Sequence, residues 1–99
     1  MKMKTLEKVK QILRENFEFL TNMYRIRSMG IFGSYVREEQ KKESDIDILV
    51  EFNEPISLLK LVNIENFLTD FIGIKVDLIS KEDIRPELKE TILSEVVYI

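Results

Sequence analysis

Gly33-Ser34-Tyr35-Val36-Arg37-Glu38-Glu39-Gln40-Lys41-Lys42-Glu43-Ser44-Asp45-Ile46-Asp47 is the stretch on which the reading of this chain turns. An apolar run, Met29-Gly30-Ile31-Phe32, leads into the Gly-Ser pair, and another, Ile48-Leu49-Val50, follows the second aspartate. Side chains alternate along a strand, so Asp45 and Asp47 share a face, about 7 Å apart at about 3.3 Å per residue. Two like charges at the end of a buried strand are costly without a cation between them, and a divalent metal is the natural candidate. A Gly-Ser turn opening a short helix, Ser34 to Glu39, would present free backbone N–H groups, which favour phosphate. Metal and phosphate together point to nucleotide chemistry. Without the two aspartates, the Gly-Ser pair would read as an ordinary turn.

The composition narrows the chemistry. Ninety-nine residues, 44% hydrophobic and 33% charged with three Gly and two Pro, predict one globular domain over 1–99 with little room for linkers. Cysteine and histidine are both absent, which excludes disulfides, thiolate metal sites and imidazole catalysis. A metal must then sit on oxygen ligands, which favours Mg²⁺ or Mn²⁺. The net charge of −3 argues against a polynucleotide substrate. No apolar run is long enough to span a membrane, and Met1-Lys2-Met3-Lys4 leads into no signal-peptide core, so a cytoplasmic protein is expected.

Outward from the central stretch, the pattern is helical and strand-like by turns. Leu6, Val9, Leu13, Phe17 and Leu20 recur at spacings of three and four, predicting an amphipathic helix from Thr5 to Thr21 with Thr5 as its N-cap. Arg25 to Phe32 reads as the first strand, with Arg25 and Arg27 facing solvent and Gly30 marking a close backbone approach. Asp45 to Phe52 reads as a central strand, apolar on both faces past Asp47. Asn53-Glu54-Pro55 breaks it, and Ser57 caps a helix from Leu58 to Ile72 that turns Leu58, Leu61, Val62, Phe67, Leu68 and Phe71 inward. Lys75 to Ser80 is the third strand, and Asp77 is an acid inside it. Burial there would require a metal, a lysine or a loop to satisfy the charge. Pro86 opens a last helix with Leu88, Ile92 and Val96 as its buried stripe, and the apolar tail Val96-Val97-Tyr98-Ile99 should pack on the core or on a partner.

Gly33-Ser34, ten residues, then Asp45-x-Asp47, with a strand after and a further acid at Asp77, resembles the signature of the nucleotidyltransferase superfamily that includes DNA polymerase beta. The wording Gly-Ser-Tyr-Val-Arg and Ser-Asp-Ile-Asp-Ile-Leu-Val-Glu-Phe, in so short a chain, looks most like its minimal nucleotidyltransferase (MNT) group. The resemblance covers nearly the whole chain. It implies a small α/β (α+β) nucleotidyltransferase fold, a mixed β-sheet with helices mainly on one face. It implies that Asp45, Asp47 and Asp77 form a catalytic metal triad for Mg²⁺, two ions in all, with ATP as co-substrate. Gly33 and Ser34 would take the β- and γ-phosphates, and Arg37 matches an arginine of the MNT pattern that steadies phosphate or the fold.

The resemblance further implies a partner. MNT proteins of this kind act as antitoxins that place AMP on a tyrosine of a HEPN-domain RNase toxin. Two other readings stay open at this level: an antitoxin that neutralises by occlusion alone, and a transferase for a small hydroxylated molecule such as an aminoglycoside. Both a homo-oligomer and a hetero-complex are compatible with the sequence.

Overall fold

The computed structural model describes residues 5–41 and 44–99; the basic N-terminus, with Lys42 and Glu43 of the polar loop, lies outside the described residues. Helices α1 (Leu6–Glu15) and α2 (Phe17–Tyr24) come first, followed by strand β1 (Ile26–Phe32) and a tight 3₁₀ turn (Gly33–Tyr35). Strand β2 (Ile46–Phe52), helix α3 (Leu58–Ile72), strand β3 (Val76–Ser80), helix α4 (Pro86–Glu95) and the short strand β4 (Val97–Tyr98) complete the order. The sheet runs β3-β2-β1-β4. β1 is antiparallel to β2 and to β4, whereas β2 and β3 are parallel and joined by the α3 crossover. This is the mixed α+β sheet expected.

The alternation of β2 separates two cores. Ile46, Ile48 and Val50 face the larger one, with Val9 and Leu13 of α1, Leu20 of α2, and Ile64 and Leu68 of α3. Leu49 faces the smaller one, with Phe32 and Ile92 and, partly buried, Ile79, Ile84, Leu93 and Val96. Three helices therefore cover one face and α4 the other. Each fully buried aliphatic side chain contributes about 1.5–3 kcal/mol. No helix among the described residues is long and apolar enough to cross a membrane.

Several expectations give way to local chemistry. The single helix from Thr5 to Thr21 is two helices. Asn16 breaks it: its side-chain amide donates to the Ile12 carbonyl (2.8 Å) and its backbone leaves the helical region at φ −117°, ψ 8°. Asparagine competes with the backbone in this way, and periodicity does not register it. Thr5 does cap α1, accepting from the Lys8 N–H at 3.3 Å. In α3 the inward stripe is Leu61, Ile64, Phe67, Leu68 and Ile72, not Leu58, Val62 and Phe71, which are 76%, 41% and 38% exposed. The expected α-helix from Ser34 to Glu39 is a 3₁₀ turn followed by Glu38 at φ 59°. The apolar tail becomes β4, and the Ile99 N–H continues the pairing by donating to the Met29 carbonyl at 2.9 Å. Gly30 makes this docking possible, since a Cβ there would stand 2.5 Å from Val96 Cγ2.

The outer edge of β3 is covered from above. The Val76 N–H donates to Thr69 Oγ1 (3.0 Å) and the Leu78 N–H to Glu65 Oε2 (2.8 Å), both acceptors on α3. On the opposite side of the sheet, the register between β1 and β2 shifts between Ile26 and Ser28, leaving Arg27 exposed. Arg27 pairs with Asn53 (3.1 Å) and Glu51 (3.9 Å), and Arg25 with Glu54 (3.4 Å). Both arginines thus face solvent at the far end of β1 from Gly33, as expected.

Candidate active site

The topology brings the acids to one rim of the sheet. β1 ends where β2 and β3 begin, so Phe32 pairs with Asp47, and Asp47 pairs with Asp77. Paired residues on neighbouring strands share a face and lie about 4.8 Å apart across the sheet. Asp47 and Asp77 therefore stand side by side on the α4 face, and Asp45, the residue before β2, is near enough for its charge to act on Asp47. The sequence reading treated all three as buried acids. Asp45 and Asp47 are half-buried, but Asp77 is exposed, because it lies at the open end of an edge strand.

Gly33 closes the floor of this rim. Its φ is +80°, a left-handed conformation that costs a residue with a Cβ about 1–2 kcal/mol. A Cβ there would collide with the Asp47 carboxylate, meeting Oδ2 first, then Cγ at 3.1 Å and Cβ at 3.4 Å. Glycine is thus required twice over, by the turn and by the neighbour. The Gly33 carbonyl accepts from the Val36 (3.0 Å) and Arg37 (3.1 Å) N–H groups, and Ser34 sits half-buried at the apex. With no α-helix here, any anion site is built from individual groups of a turn and not from a helix macrodipole.

Arg37 reaches the same place from the other side of the turn. Its Nη1 donates to both carboxylate oxygens of Glu95 (3.1 and 3.2 Å), and its Nε to Glu39 (2.6 Å). Glu95 Oε1 also accepts the Gly33 N–H at 2.9 Å. Glu95 was not among the residues singled out from sequence. One signal was available: an acid in the last turn of a helix opposes the macrodipole and asks for a partner.

The electrostatics are those of a site short of positive charge. Burial raises the Asp47 carboxyl to about 6, and the charges of Asp77 and then Asp45 push the same way; Arg37 opposes them only in part. Burial, and then the Asp45 charge, also raise the Tyr35 phenol. The donor set is all carboxylate and the negative charge is only partly offset by Arg37, which fits a hard divalent cation. Among the described residues, however, no three acids stand close enough together to form a ready-made metal cage.

Comparison with known proteins agrees with this architecture. The model of the nucleotidyltransferase domain family matches residues 6–99. A candidate protein adenylyltransferase of Methanocaldococcus jannaschii is 54% identical over 98 residues, covering 98% of this chain and 100% of the relative. The protein adenylyltransferase MntA of Thermococcus cleftensis is 43% identical over 99 residues and covered along its full length, as is this chain. A solved structure of a candidate minimal nucleotidyltransferase superposes with a TM-score of 0.79 at 30% identity, over 98% of each chain. A complex of a tri-AMPylated Shewanella oneidensis HEPN toxin with an MNT antitoxin shares the fold, with a TM-score of 0.62 at 20% identity over 93% of this chain and 66% of that one. This chain belongs to the nucleotidyltransferase domain family and is a minimal nucleotidyltransferase.

Proposed function

We propose that this protein transfers AMP from Mg²⁺-ATP to a tyrosine hydroxyl of a HEPN-type RNase toxin and so acts as its antitoxin. The observation that carries the reading is the pairing of Asp47 with Asp77 beside a glycine packed on the Asp47 carboxylate. Relatives of the same length named as protein adenylyltransferases support a protein as acceptor. The toxin partner is supported by the shared fold of the Shewanella antitoxin.

In this reading Asp45, Asp47 and Asp77 would hold the divalent cations, whose chemistry when bound would be to offset the negative charge that builds up in phosphoryl transfer. Gly33 and Ser34 contact the β- and γ-phosphates through a backbone N–H and a hydroxyl, and Arg37 adds its guanidinium. The acceptor oxygen bonds to the α-phosphorus, the bond to pyrophosphate breaks, and the Asp77 carboxylate, exposed at the rim, takes the hydroxyl proton. The same exposure leaves the site open to an acceptor carried by another protein.

The test is transfer of label from α-labelled ATP to a HEPN-domain protein, with Asp45→Asn beside the wild type. Label on that protein that requires Asp45 and disappears when its tyrosine is replaced by phenylalanine is expected. Neutralisation of the toxin that survives loss of all three aspartates would replace this reading with occlusion.

A further inference from the structure

Gly33 and Arg37, the groups read above as phosphate contacts, are already bonded to an anion. Glu95 Oε1 accepts from the Gly33 N–H (2.9 Å) and from Arg37 Nη1 (3.1 Å), and Oε2 accepts from the same Nη1 (3.2 Å). We propose that Glu95 is an internal ligand of the polyphosphate site, a carboxylate that holds Gly33 and Arg37 in place until a nucleotide's phosphate oxygens displace it. The inference rests on the phosphate reading of those two residues.

The placement argues for displacement and not for a permanent brace. A carboxylate and a phosphate present the same kind of charged oxygen to an N–H and a guanidinium, so they compete for the same donors. Asp45, Asp47 and Asp77 already crowd the rim with negative charge, and a triphosphate adds more. A fourth carboxylate left among them would weaken nucleotide binding. Glu95 is also placed to move. It is the last residue of α4, and its side chain is about one-fifth exposed. Arg37 does not depend on it alone, because Glu39 holds the Nε.

A brace and a displaceable ligand predict opposite signs. If Glu95 only supported the turn, its removal would loosen Gly33 and Arg37 and weaken polyphosphate binding. If it occupies the site, its removal strengthens binding. Calorimetric titration with inorganic tripolyphosphate, and separately with Mg²⁺-ATP, compares the wild type with Glu95→Gln and Glu95→Ala. The exposed Glu87→Gln on the same helix serves as control. Glu95→Gln keeps an acceptor for the Gly33 N–H should Glu95→Ala fail to fold. Tighter binding is expected in both Glu95 variants, by about tenfold from loss of one charged competitor, and none in the control. Unchanged or weaker binding in both Glu95 variants overturns the proposal, even where the wild type transfers AMP. Tighter binding without transfer to any protein leaves the proposal standing and retires the transferase reading. No polyphosphate binding to any of the proteins overturns both.

Discussion

Replacing Gly33 with alanine should damage the fold for two separable reasons, and a double-mutant cycle tells them apart. The backbone at position 33 has φ +80°. An alanine there costs about 1–2 kcal/mol in the left-handed region. The new methyl group also runs into the Asp47 carboxylate, with Cγ at 3.1 Å and Oδ2 closer still. Such overpacking typically costs about 1–3 kcal/mol. The sum, about 2–5 kcal/mol, corresponds to a loss of about 10 °C or more in melting temperature for a domain of this size. Asp47→Ala removes the carboxylate and leaves only Cβ, at 3.4 Å, an ordinary contact. In that background Gly33→Ala should therefore cost only the conformational part. The reduced unfolded-state entropy of alanine is the same in both backgrounds and cancels. Urea denaturation of the wild type, both single variants and the double variant should give a coupling of about 1–3 kcal/mol. An equal cost of Gly33→Ala in both backgrounds would mean that the contact with Asp47 does not set the identity of residue 33.

Two further outcomes follow from the charges. In the metal-free protein Asp47 holds its proton up to about 6, from an ordinary value of 3.8, chiefly because it is buried. A carboxyl whose folded value is raised contributes stability that is full below about pH 4 and lost as the pH climbs through about 6. Asp47→Asn should thus raise the melting temperature relative to wild type at pH 8 but not at pH 4, and Mg²⁺ should raise that of the wild type at pH 8 but not that of the variant. A melting difference independent of pH would contradict the assignment. Asp77→Asn alters an exposed side chain and should change stability by no more than about 0.5 kcal/mol. It should nevertheless lower AMP transfer about 10²–10⁴-fold, read as label incorporated per minute; transfer at the wild-type rate would remove Asp77 from the chemistry.

Much of this arrangement was legible because it depends on period-two alternation. Ile46, Ile48 and Val50 on one face of β2, with Leu49 on the other, follow from the pleat alone, and Val9, Leu13 and Leu68 follow from helical spacing, whereas Ile64 does not stand out from its neighbours. What could not be read was set by contacts distant in sequence or by local competition. Whether Asp77 is exposed depends on β3 lying at an edge. The break at Asn16 comes from one side-chain bond to a carbonyl. Leu58 and Val62 carry core-like residue types but fall outside the face that α3 lays on the sheet. The tail became a strand because Gly30 has no side chain to exclude it. Glu95 meets Gly33 across 62 positions of sequence, a pairing that no local pattern encodes.

The capping of β3 by α3 has a consequence for assembly. An edge strand with free N–H groups invites another chain to extend the sheet. Here the Val76 and Leu78 N–H groups are already spent on Thr69 and Glu65, so an incoming strand would have to break two bonds to dock there. Sheet extension is left to the opposite side, at the two residues of β4. Any chain that pairs there docks next to Glu95, so growth of the sheet and access to the anion site would share one boundary.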